Sequence, residues 1–525
     1  MGNGQDRPTT PAPHPAVNPW IIAVAVMLST FMEVLDTTVV NVSLPHIAGS
    51  LSATTDEATW TLTSYLVSNA IILPITGWLA NHFGRKRLLL TSVTGFTVAS
   101  FLCGLAPSLP LLIAFRIIQG ACGGGLQPLS QAVLLESFPP KDRGKAMGFW
   151  GLGIVVAPML GPVLGGWLTD SYSWRWVFYI NVPIGIAALI MTRLFIFDPH
   201  YIRRTSQRID YWGIGMLAVG IGALQVVLDR GQEKDWFGTH WITAMMLLAI
   251  ATLTAFVLYE LWARDPVVNL RVFKNRNYAA GAFMMAILGV GLYGSVVLIP
   301  LVLQTLLGYP AVQAGIAMVP RGLGSFIAMP VVGIMLTRFD SRKLLLIGVS
   351  VCAYTLIQLS RLNLNAGYWD FFWPQLLMGL SLGFVFVPLT TVTMDPIPKE
   401  GMGNATSLFN LVRNLGGSIG ISSVETLQFR AAQNHIAVLG AHVNPLRPAV
   451  RAMMRQMQGG FTTAGSDPVT ASHQAYSSMW GMVVQQAMMM SYNDTFRILG
   501  LMFLILIPLV FILKRAKGGG PMAAH

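Results

Sequence analysis

The sequence predicts an all-α integral membrane fold: two six-helix bundles plus two inserted helices, fourteen transmembrane helices, with both termini cytoplasmic. Three observations carry this expectation. Of 525 residues, 54% are hydrophobic and only 11% charged, where a soluble chain has about 25% charged residues. Apolar runs of about 20 residues, the length at which a helix crosses a bilayer, recur along the chain. The chain also repeats itself: GWLANHFGRKRLL begins at Gly77 and GIMLTRFDSRKLL at Gly333, PKDRGKA at Pro140 and PKEGMGNA at Pro398, and the two offsets agree to within two residues. Parallel repeats with a site at their interface are a common plan for alternating access.

The elements follow in order. Trp20–Leu44 comes after a polar, Pro-rich start, MGNGQDRPTTPAPHPAVNP, with neither a basic n-region nor a small-residue cleavage site, so the first apolar helix is expected to be retained. Trp60–Ala80 and Leu88–Leu105 flank a basic turn at Arg85, Lys86 and Arg87. Leu109–Leu135 and Ala146–Leu168 flank Lys141, Arg143 and Lys145; Val177–Phe197 and Tyr211–Leu228 flank Arg203, Arg204 and Arg208. Trp241–Ala263 is followed by Tyr278–Leu306, then Ala314–Thr337 and Leu344–Leu364, then Phe371–Val392 and Ala405–Leu427, and finally Phe496–Leu513. Basic residues gather on one set of turns, so those turns face inward and the net charge of +12 reports topology and contact with anionic lipids. No nucleic-acid partner is implied.

The expected organisation is a cytoplasmic tail over 1–19, a first bundle over 20–197, and a linker with the inserted helices over 198–277. A second bundle covers 278–513, includes a periplasmic loop at about 430–492, and is followed by a tail over 514–525. A structureless loop of that length is unusual, so part of it is expected to be ordered. RPAVRAMMRQMQGG, from Arg447, reads as a helix with Pro448 first and Gly459-Gly460 at its end; Arg447, Arg451 and Arg455 share one face.

Charges inside the spans are the candidate functional residues. Asp36 lies roughly 24 Å along the first helix, beyond the bilayer midplane, and Glu33 is one turn below it. A carboxylate at the centre of an apolar helix costs about 2.5–3.5 kcal/mol on insertion scales, so it faces a cavity or a partner. Burial and a like-charged neighbour both favour the neutral acid, which suits a site that takes up and releases protons. Arg116, an always-charged guanidinium inside the fourth span with Gln119 and Gly120 on the next turn, must face acceptors or water. Arg321 and Arg413 raise the same question in the second half and read as structural. Gly153, Ala157, Gly161 and Gly165 form a small-residue stripe with Pro158 and Pro162 interleaved, suited to close helix approach, bending or sealing.

Enzyme motifs are present only as strings. GGSIG at Gly416 lies in a membrane span with no strand before it, and Gly289 to Gly294 has no βαβ context. No phosphate-binding GKS or GKT loop exists, the histidines fall outside the predicted spans, and Cys103, Cys122 and Cys352 lie in apolar runs. The chain is therefore expected not to be an enzyme, and to bind no metal or cofactor.

In their order and spacing these strings resemble a family. LDTTVVNVSLP around Asp36, GWLANHFGRKR, RIIQG at Arg116 and APMLGPVLGG from Ala157, with LDRGQEKDWF and NVPIG in support, are similar to the fourteen-helix drug:proton antiporters of the major facilitator superfamily, most closely the EmrB branch of the EmrB/QacA group. The resemblance covers essentially the whole chain. It implies a bacterial inner-membrane efflux antiporter for lipophilic, often weakly acidic toxic compounds, driven by the proton gradient without a cofactor. It also implies an EmrA-like periplasmic membrane fusion adaptor and a TolC-like outer-membrane channel as partners. On this reading Asp36, Glu33 and Arg116 carry proton coupling, and Asn41, Tyr65, Gln119, Trp150 and Tyr293 are candidates for lining the cavity. Gly77, Asn81, Gly84, Arg85, Pro158, Gly161, Pro162 and Gly165 carry the gating motifs. Asn81 stands where the family has an acidic residue, which puts a charge-based latch at that turn in question.

Overall fold

A computed structural model describes residues 18–197, 210–263, 266–444 and 446–513, and is helical throughout these residues apart from turns. The first bundle comprises α1 (Pro19–Ser50), α2 (Thr55–Phe83), α3 (Arg85–Leu105), α4 (Leu109–Gly123) with α5 (Leu126–Ser137), α6 (Arg143–Ser171), and α7 (Trp176–Tyr179) with α8 (Asn181–Phe195). Two inserted helices follow, α9 (Tyr211–Arg230) and α10 (His240–Trp262). The second bundle comprises α11 (Arg276–Leu301), α12 (Ala311–Met335), α13 (Ser341–Leu359), α14 (Tyr368–Met394), α15 (Met402–His442), α16 (Pro448–Thr463) and α17 (Pro468–Val510). Both predicted tails, beyond Asn18 and Leu513, and the basic turn at Arg203, Arg204 and Arg208 lie outside the described residues.

Local chemistry sets the boundaries. Asn18 caps α1 ahead of Pro19, and Thr54 with Glu57 forms a capping box at α2. The turn from α2 to α3 passes through Gly84 at φ 90°, a conformation that side chains resist. The fourth span is broken at Gly124-Gly125, where a Cβ on Gly124 would lie 2.5 Å from the Asn69 carbonyl oxygen.

Among the described residues, thirteen segments are long and apolar enough to cross a bilayer. The predicted span Ala405–Leu427 fails that measure because α15 carries Asn410, Arg413, Asn414 and a Gly/Ser run. It is nonetheless central, packed on α2, α11 and α17. Its glycines explain the tight fit: a Cβ on Gly416 would meet the Ala286 carbonyl oxygen at 2.2 Å and one on Gly420 the Val290 oxygen at 2.5 Å. Gly289 on α11 is held against the Arg413 carbonyl in the same way. The hydrolase-like and nucleotide-like strings are thus the two sides of one helix seam.

The two halves meet closely at the end that carries the basic turns. A Cβ on Gly77 would lie 2.7 Å from the Asn404 backbone, one on Gly148 2.5 Å from the Met329 oxygen, and one on Gly333 2.8 Å from the Gly144 oxygen. Asn410 donates to Gln131 Oε1 at 2.6 Å and Thr406 to the Pro128 carbonyl at 3.1 Å. Nearer the opposite end α9 and the turn after it bridge both halves: Asp229 accepts from Thr63 on α2, while Gln225 and, beyond the end of α9, Trp236 donate to Ser418 and Thr426 on α15, each at 3.0 Å.

The segment 430–492 is not a loop. Helix α15 runs on to His442, α16 follows, and α17 starts at Pro468 rather than Phe496. Pro448 is the first residue of α16, as the sequence suggests, but the helix passes Gly459-Gly460 and ends at Thr463. A 20-residue apolar run measures only the bilayer; outside it a helix needs one apolar face, and here Met454 packs on Ala475 and Met479 in a small core of its own.

Candidate functional site

Asp36 is fully buried on α1, and its carboxylate is caged by donors from two other helices. Arg116 Nη1 donates to Oδ2 at 2.6 Å; Gln119 Nε2 and Asn181 Nδ2 donate to Oδ1 at 2.9 and 2.7 Å. Spacing explains the first two: Arg116 and Gln119 are three apart on α4, on one face, and Arg116 Nη1 also donates to Gln119 Oε1 at 2.8 Å. Arg116 Nε donates to the Thr61 carbonyl at 3.0 Å, and the guanidinium lies 4.1 Å from the centre of the Tyr65 ring. Asn181, the first residue of α8, donates also to Ser100 Oγ at 3.0 Å, and Ser100 donates to the Phe178 carbonyl at 2.9 Å. One carboxylate thereby draws α1, α4 and α8 together, with α3 tied in through Ser100. Charge-assisted bonds are roughly twice as strong as neutral ones, so proton uptake by Asp36 would weaken all three contacts at once. That is the chemistry available to this arrangement.

Glu33 does not join this cage. Its Oε1 accepts from Asn69 Nδ2 at 3.0 Å, its Oε2 has no hydrogen-bond partner among the described residues, and Gln127 lies beside it. Arg413, on α15, donates to Gln127 Oε1 across the interface between the halves.

The cavity candidates separate. Tyr65 and Gln119 belong to the Asp36 cage, and Asn41 is exposed on α1. Trp150 is buried between the halves, donating to Thr30 Oγ1 at 3.2 Å and stacked 6.1 Å from Phe386. Tyr293 lines a narrow cleft with Ile154, Val155, Leu288, Phe386 and Arg413. Its free volume is about 20 Å³, space for about one water.

Among the motif residues, Gly161 and Gly165 press α6 onto α1 rather than onto the other half: their Cβ atoms would lie 2.1 Å from Thr38 Oγ1 and 2.5 Å from the Val39 oxygen. Pro158 and Pro162 lie within α6, which runs unbroken through both. Gly77 serves the inter-half seam and Gly84 the turn. Arg85 is buried and pairs with Glu136 on α5, inside the first half. Asn81 is half-buried at the end of α2 and makes no side-chain hydrogen bond among the described residues. Sequence reasoning did not single out Asn181, Ser100, Gln127 or Asn69 as site residues; NVPIG, read only as a family string, held the signal for Asn181.

Comparison with known proteins places this geometry. The Major Facilitator Superfamily model matches residues 26–421. The multidrug export protein EmrB of Escherichia coli K12 is 38% identical over 511 residues, 96% of this chain and 98% of that protein. The fatty acid resistance protein FarB of Neisseria gonorrhoeae is 36% identical over 507 residues, 95% and 97% of the two chains. Among solved structures, the proton:xylose symporter XylE is similar in fold with a TM-score of 0.59, at 15% identity over 95% of this chain and 97% of that one. Thirteen apolar membrane-length segments among the described residues, together with these relatives, make this a multi-pass protein of the inner membrane. The chain belongs to the major facilitator superfamily of transporters, in its EmrB-like branch.

Proposed function

We propose that the chain is a proton-driven multidrug efflux antiporter that exports lipophilic toxic compounds across the inner membrane, as the pump of a tripartite system with an EmrA-like adaptor and a TolC-like channel. The observation that carries the coupling is the buried Asp36–Arg116 pair with its two amide donors. Proton uptake by Asp36 loosens α1 from α4 and α8; because α6 is seated on α1 through Gly161 and Gly165, the change reaches the helix that packs along α12 of the other half. Glu33, beside the interface, is a second carboxyl group for the cycle. The names of similar chains, multidrug export protein and fatty acid resistance protein, support a lipophilic and partly acidic substrate range. The energy source is the proton gradient, with no cofactor.

A passive channel or facilitator, or a dedicated single-substrate exporter, is the alternative; concentrative export that collapses with the proton gradient excludes the first, and export of chemically unrelated compounds the second. The direct test is drug-dependent proton release from proteoliposomes, wild type beside Asp36→Asn. Asparagine matches the shape but cannot cycle a proton, so the variant should insert and fold yet show no drug-dependent proton flux; wild-type coupling in it would remove Asp36 from the mechanism.

A further inference from the structure

Among the described residues, Arg413 is the one charged residue lining the cleft between the halves. It is 4% exposed, and Ile154, Val155, Leu288, Leu292, Tyr293 and Phe386 supply apolar wall from both halves. Among the described residues its hydrogen bonds go only to neutral amides, Gln127 Oε1 across the interface and Asn414 Oδ1 on its own helix at 3.2 and 3.4 Å, while the Glu33 carboxyl lies within electrostatic reach but accepts none of its hydrogen bonds. Nη1 is buried with no hydrogen-bond partner. The other buried arginines of the bundle are placed differently. Arg116 already holds the Asp36 carboxylate, Arg85 holds Glu136, and Arg321, on α12 against Gly379 of α14, donates to Ser295 on α11 and does not line the cleft.

A guanidinium cannot shed its charge, and a buried polar group without a partner is destabilising, the more so when charged. An amide oxygen satisfies it only in part. A carboxylate or other anionic group admitted as the halves part, since the closed cleft has room for about one water, offers two acceptors and a full charge in a planar match to the fork, roughly doubling the strength of each bond. We propose that Arg413 selects an anionic group on the lipophilic substrate, giving up its hold on Gln127 in exchange for that group. Resting on the export reading above, this assigns the cleft its charge preference and gives substrate arrival a consequence. The Arg413–Gln127 bond ties α15 of one half to α5 of the other, and its exchange removes one tie across the interface. Tyr293 and Phe386 suit the apolar body of the same ligand.

The test is direct binding to the full-length protein in detergent, with no proton gradient, of a naphthalene carboxylate and its neutral carboxamide. Binding read without a gradient is independent of proton coupling, so a failed antiport assay and a failed charge preference are separate results. Wild type should prefer the carboxylate. Arg413→Gln should lower the carboxylate-to-carboxamide affinity ratio at least tenfold, and Arg413→Lys should recover part of it. Gln127→Ala, which breaks the same inter-half bond but leaves the guanidinium, should keep the ratio or raise it, since the internal competitor is gone. A wild-type protein indifferent to the charge, an unchanged ratio in Arg413→Gln, or an equal fall in Gln127→Ala would each overturn the assignment; the last would make Arg413 a structural tie only.

Discussion

At Asp36 the three donors are unequal. Arg116 brings a full charge, while Gln119 and Asn181 bring amide dipoles, and all sit where water does not reach. Breaking a buried ion pair by removing one partner costs about 3–5 kcal/mol, because the surviving charge is stranded, whereas removing both can be nearly neutral. Arg116→Gln should therefore destabilise the folded protein by about that amount in thermal unfolding, and Asp36→Asn added to it should restore most of the loss. If the double variant is as unstable as the two single losses summed, the residues are not coupled. Asn181→Ala removes one bond to the charged group and should cost about 1.5–3 kcal/mol in the same assay, with no recovery from nearby water. A melting temperature equal to wild type would place Asn181 outside the cage.

Helix α6 shows how an element serves the site without touching the proton. Its stripe seats on α1 beside Asp36, and the contact is backbone to backbone at Gly165, where the Val39 carbonyl cannot move aside. Gly165→Ala should push α1 and α6 apart and sharply reduce transport in liposomes, whereas Gly166→Ala, whose nearest neighbour would be a Val42 methyl at 3.8 Å, should transport as wild type. Equal activity in both would show that the stripe is not what positions α1. Outside the bilayer, Asp467 caps α17 by accepting from the Val469 and Thr470 amides at 3.1 and 3.2 Å, and the Thr470 hydroxyl first, with these amides, holds its carboxyl below the usual range. A depressed folded-state value means that the cap contributes above the unfolded value of about 3.9 and fades as pH falls through the folded one. Amide exchange in the first turn of α17 should accordingly stay slow at neutral pH and quicken only in strong acid; an Asp467→Ala variant should lack that protection at every pH. The sequence made the spans legible because the bilayer imposes a length and a polarity on each. Asp36 and Arg116 were legible because a charge inside such a run needs a partner. Asn181, Gln127 and Ser100 were not, because an isolated amide or hydroxyl is unexceptional in a membrane helix and only the packing of distant helices gives it an ion to serve. The helical ends of α15 and α17 were missed for the opposite reason, since apolar run length says nothing about helices that leave the membrane.

The apolar side chains of the described residues gather in four clusters. Three lie among the membrane spans, while Met454, Ala475 and Met479, with Val443, Val450, Met457 and Phe461 around them, form a fourth where α16 lies against α17. Arg447, Arg451 and Arg455 stay exposed on α16, as do Leu446, Val469, Tyr476 and Trp480 around it. This extension presents a basic and apolar surface beyond the membrane, which supports docking to a periplasmic adaptor over a role as a cap on the transport path. Replacing residues 434–488 by a short flexible linker removes the satellite core as a unit, so the bundle should keep its fold and its proton-coupled drug transport in liposomes. Cells carrying the shortened pump should lose drug resistance, and the adaptor should no longer co-purify with it. Normal adaptor capture by the shortened protein would end the docking proposal, while loss of transport in liposomes would show that the extension serves the transport path itself.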